Sequence, residues 1–109
     1  MNNFLWRIVR SSLPLLITLF AGYMVVRWLI IRFQKIIDWF RSKANLKLQD
    51  KNNVAFTLKG NMEQGNYVVY QGIFDPIKEE LVDGQKILSE QIDSQVSQLH
   101  RDEKLVVYQ

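Results

Sequence analysis

One stretch limits what this chain can become. Between Arg10 and Arg27 there is no charged residue: SSLPLLITLFAGYMVV. After Arg27 the apolar character resumes with Trp28-Leu29-Ile30-Ile31. Residues 11–31 are about as many as a helix needs to cross the hydrocarbon of a bilayer, at about 1.5 Å per residue. The run therefore predicts a transmembrane helix over 11–31. Arg27 lies near one end, where its stem reaches the headgroups. Trp6 and Trp28 stand about 33 Å apart on an ideal helix, the separation of interfacial aromatic anchors. Pro14 falls in the first turn, where it needs no N–H partner, and Ser11 or Ser12 caps that turn. The rest of the chain is too small to enclose so long an apolar cylinder as a core helix. No A-x-A-like site follows the run, so cleavage as a signal peptide is not expected.

Charge is divided along the same line. Residues 1–47 hold eight of the fourteen Lys and Arg and one acid, Asp38, a net of +7; the remainder carry six bases and ten acids, a net of −4. Bases that flank an apolar run suit a membrane surface better than nucleic acid. Two of them, Arg7 and Arg10, precede the run. Arg27, Arg32, Lys35, Arg41, Lys43 and Lys47 lie at its C-terminal end or beyond it. The positive-inside rule then puts the C-terminal domain on the cytoplasmic side of a single-pass protein.

Residues 1–10 read as a short basic segment and 32–43 as an amphipathic extension of the helix. In the extension Phe33, Ile36, Ile37 and Phe40 share one face. Arg27, Arg32, Lys35, Arg41 and Lys43 are candidates for lipid headgroups. Thr18 and Gly22, four apart, make a small-xxx-small pattern and are candidates for close helix packing. Polar residues 44–53 read as a linker.

Residues 54–109 read as a small α+β domain of order β-β-α-β, a three-stranded sheet with one covering helix. Val54–Leu58 and Tyr67–Ile73 are strand candidates joined as a hairpin. Asp75-Pro76 resembles a helix start, and Ile77, Leu81, Leu88, Ile92, Val96 and Leu99 follow with helical spacing. Leu105–Gln109 reads as a last strand. One helix leaves the other sheet face uncovered, so Tyr67, Val69 and Tyr70 are candidates for a partner face.

Chemistry is not expected. There is no Cys and a single His, His100, so a typical zinc site is excluded. No phosphate loop, EF-hand or nucleophile elbow is spelled out. The sequence predicts no catalytic residue, cofactor or metal. In plan the chain resembles the small single-span accessory subunits and assembly factors of energy-transducing membranes, a likeness of layout that no motif carries. The expectation is an interaction protein, not an enzyme. Its partners would be the bilayer and another membrane protein or complex, or further copies of itself. An alternative is self-association on an anionic membrane surface through the basic juxtamembrane helix; a third, less favoured, is a membrane-bound enzyme.

Overall fold

The computed structural model describes residues 20–45 and 53–108. A single 3-10 turn, Phe20–Gly22, leads into β1 (Met24–Arg27), and α1 follows (Phe33–Ser42). Next come β2 (Val54–Lys59), β3 (Tyr67–Asp75), β4 (Glu80–Ser89), α2 (Ser94–Leu99) and β5 (Leu105–Tyr108). The strands form one sheet in the order β1-β4-β3-β2-β5. β1 is parallel to β4, and every other pairing is antiparallel. This is a small α+β domain with a five-stranded mixed sheet and two helices.

Central position explains the composition of β3. All its residues except Tyr67 are buried, and a strand covered on both faces reads as a nearly continuous apolar run. On one face Phe56, Leu58, Val68, Tyr70, Phe74 and Leu105 form a core with Phe20. On the other, Val69 and Ile87 pack with Ile31, Ile36 of α1 and Val96 of α2. The apolar face expected on residues 33–40 is real, and it faces the sheet. Buried glutamines join helix to sheet: the Gln71 amide donates to the Ile36 carbonyl at 2.8 Å, and Gln85 donates to the Gln71 side-chain oxygen at 2.9 Å.

Gly72 and Gly84 are register partners in β3 and β4, and together they leave a flat floor for the Phe20 ring. A Cβ on Gly84 would stand 2.7 Å from that ring, and one on Gly72 3.2 Å from it. The ring then packs against Tyr70, tilted by 54° with 5.0 Å between centroids. Phe20 thereby fixes the start of the described chain to the middle of the sheet.

Three expectations change. Phe20–Ile31, expected in a continuous membrane helix, instead form the turn, β1 and a bridge from Ile31 to Ile92. No helix among the described residues is long and apolar enough to cross a membrane. Residues 11–19 of the expected span lie outside the described residues. The sheet has five strands instead of three, because 24–27 and 80–89 both join it. The segment after Asp75-Pro76 is β4, not a helix. The Asp75 carboxylate does accept from the backbone N–H of Ile77 and Lys78, as a cap would. There it closes the tight β3–β4 turn, in which Glu79 takes a positive φ of 55°. Asx chemistry serves turns and helix starts alike. A helix does follow later, as α2, capped by Asp93.

Candidate functional site

β1 is an edge strand, and among the described residues nothing pairs with its outer side. Its inner side is held by the parallel register Met24–Gln85 to Arg27–Leu88. Val26 points into the core under the helices, whereas Met24 and Val25 are 69% and 58% exposed. Just past the strand, Leu29 is 94% exposed. Apolar side chains scattered singly over a surface are ordinary. Three within six residues line an open strand edge and the loop after it, and an unprotected edge is a template for pairing.

The loop that presents Leu29 is firmly tied. Trp28 N–H donates to the Leu88 carbonyl at 2.9 Å, and Ile31 N–H to the Gln91 carbonyl at 2.9 Å. The Ser89 hydroxyl donates to the Leu29 carbonyl at 3.0 Å. Asp93 completes the arrangement. One carboxylate oxygen accepts from Val96 N–H at 2.8 Å, capping α2. The other accepts from Phe33 N–H at 2.9 Å, which caps α1, whose own N-cap residue Arg32 makes no side-chain cap. One carboxylate thus starts both helices and ties them to the Leu29 loop.

The five lipid-headgroup candidates fall into two groups. Arg27, Arg32 and Lys35 surround the Leu29 loop. Arg27 donates to the Asn66 side-chain oxygen at 3.0 Å. The Lys35 ammonium lies 4.9 Å over the Trp28 ring, a cation–π contact. Arg41 and Lys43 belong to the opposite end of α1, where Lys43 pairs with Asp83 at 2.9 Å and lies over Trp39. Glu90 joins Arg27, Trp28 and Leu29 around a shallow depression of about 390 Å³.

The remaining candidates are placed differently from the expectation. Val69 and Tyr70 are buried in the two cores and Tyr67 is half-buried, so these three do not form a free face. Gly22 lies exposed in the 3-10 turn, and Thr18 is outside the described residues. What the sequence reading missed is the edge itself and the double cap. β-Branched Val25-Val26 beside Met24 is a strand signal, but the longer apolar run masks it.

His100 is a buried structural group. Its Nδ1–H donates to the Glu103 carbonyl at 3.0 Å, so in the neutral ring Nε2 accepts from the Thr57 hydroxyl at 2.8 Å. The Tyr108 phenol in turn donates to Thr57 at 2.8 Å. Burial holds His100 below its ordinary range, against backbone bonds at Glu103 and Lys104 that favour its charged form. Burial also raises Tyr108. The network joins β2, the end of α2 and β5 as a chain of neutral groups, and Thr57 is fully enclosed. Among the described residues no three His, Cys, Asp or Glu side chains converge as a metal site.

Comparison with protein-family models, with curated proteins and with solved structures finds no match to this chain.

Proposed function

We propose that this chain is a membrane-associated interaction protein, an accessory subunit or assembly factor of a larger membrane complex, which docks through the open edge of β1. The observation that carries this reading is the pairing of an unoccupied strand edge with exposed Met24 and Val25 on that strand. A partner strand laid along β1 gains main-chain hydrogen bonds, and the exposed side chains supply specificity. Membrane association is supported by the apolar sequence that precedes Phe20 and by the +7 charge of residues 1–47. The role is one of binding and positioning. Among the described residues, Asp93 is engaged by two helix starts, and His100, Thr57 and Tyr108 by one another.

The test is native electrophoresis of the tagged full chain in mild detergent, with companions identified by mass. A defined set of companions is expected for the wild type and for Ile77→Lys. Ile77 is exposed in the β3–β4 turn, away from the edge. Val25→Lys and Met24→Glu should lose those companions while keeping the wild-type melting profile. Companions unchanged in both edge variants would refute docking at β1.

A further inference from the structure

We infer that the Leu29 loop is a contact site for an anionic bilayer surface. The inference rests on the membrane-associated reading above and specifies which part of the domain meets the lipid. Three observations support it together. Leu29 is 94% exposed, yet its carbonyl and the N–H groups of Trp28 and Ile31 are all bonded to β4 and the segment after it. The side chain is therefore held outward by a built frame. Beside it stands Trp28, a half-buried aromatic with a lysine ammonium over its ring. Aromatic rings and long basic side chains of this kind settle at the headgroup level.

Charge decides between lipid and an apolar protein groove. Arg27, Arg32 and Lys35 are exposed around Leu29. The nearby carboxylates are Glu90, which shares the depression, and Asp93, whose two oxygens are already engaged by backbone N–H groups. Three bases against the two carboxylates leave a net positive collar around an apolar tip, which complements a surface of anionic headgroups over hydrocarbon. Reach permits it as well. Leu29 lies nine positions after Phe20, at most about 32 Å of extended chain. A domain lying edge-on thus brings the loop to the same bilayer as the preceding apolar sequence.

The chain has no cysteine, so Leu29→Cys and, separately, Ile77→Cys can each carry a single polarity-sensitive fluorophore on the full-length protein. Each is mixed with vesicles of phosphatidylcholine alone or with about one third phosphatidylserine, and sedimentation records binding. The expected result is a blue shift and a several-fold rise in emission at position 29 with the anionic vesicles, and no change at 77. In the labelled Leu29→Cys protein, Arg32→Gln with Lys35→Gln should raise the anionic lipid needed for half the shift about 25-fold, at roughly fivefold per base.

Protein that sediments with vesicles but shows no shift at 29 would overturn this inference and leave membrane association standing. Protein that sediments with neither vesicle would overturn both. A shift at 29 without lipid, growing with protein concentration, would assign the loop to a second copy of the chain and overturn the lipid reading.

Discussion

Asp93 should be the most expensive surface-proximal residue to truncate. Its two oxygens cap two helices, at 2.8 Å to Val96 N–H and 2.9 Å to Phe33 N–H. Loss of one N-cap acceptor costs about 1 kcal/mol, and removal of a negative charge from a helix N-terminus costs roughly 0.3–1 kcal/mol more at each site. Asp93→Ala therefore removes about 2.5–4 kcal/mol. Asp93→Asn keeps one oxygen, hence one cap, and turns an N–H-bearing amide toward the other helix, for about 1.5–3 kcal/mol. For a domain near one hundred residues, 1 kcal/mol moves the melting temperature by about 4 °C or more, so Asp93→Ala should melt at least about 10 °C lower. Urea unfolding in mild detergent, followed by tryptophan fluorescence, measures both variants; Trp28 and Trp39 lie beside the helix that loses its cap. A single ordinary cap would give about 1.3–2 kcal/mol for Ala and only about 0.3–1 kcal/mol for Asn, which keeps the one acceptor oxygen needed. Losses that small would refute the shared cap, as would full retention of α1 and α2 helicity in Asp93→Ala.

Gly84→Ala should destabilise by about 1–3 kcal/mol, because its Cβ would meet the Phe20 ring at 2.7 Å and the Gln71 carbonyl at 3.1 Å. Adding Phe20→Ala should recover part of that loss relative to Phe20→Ala alone, and additive losses in the double-mutant cycle would show that the ring does not sit there. The fold should also weaken on mild acidification. Burial holds His100 below the ordinary histidine value of 6.5 when folded, so its stabilisation is complete above about pH 6.5 and is lost as pH falls through that value toward the folded pKa. His100 is the sole histidine; the urea midpoint of the wild type should therefore drop between pH 7.5 and 5.5, while that of His100→Gln stays flat. An equal drop in both would place the titration elsewhere.

Local signals were readable where one segment decides its own structure. Val54–Lys59 and Tyr67–Asp75 are β-branched and aromatic, and both are strands. The apolar spacing Phe33, Ile36, Ile37, Phe40 gives α1. Two failures have a common origin in degeneracy. Asp75-Pro76 offers an Asx oxygen to the following N–H groups in a turn as in a helix, and the strand alternation of 80–89 is blurred by Gly84 and by the irregular register at Phe74 and Leu81. Likewise, an apolar run of twenty residues satisfies a bilayer and a sheet edge equally by composition. Only the partner strand distinguishes them, and Gln85–Leu88 gives no local hint of it. The candidate site was half legible for the same reason. Arg27, Arg32 and Lys35 stood out as bases beside apolar sequence, but their separation from Arg41 and Lys43 depends on the length and direction of α1. The double cap by Asp93 was not legible at all, since it joins groups 60 positions apart.

The parallel pairing of β1 with β4 sets a timetable for synthesis. Met24 leaves the ribosome about sixty residues before its partner Gln85. At roughly 5–20 residues per second, the interval is about 3–12 s. Throughout it, the most water-averse part of the chain has been made and the strand that shelters it has not. Hydrophobic collapse is faster by several orders of magnitude, so this segment needs a holding surface before its own sheet exists. A chaperone would serve as one. A shortened chain ending before β4 should stay bound to such a chaperone, and the full chain should be released from it only when residues 80–93 have emerged.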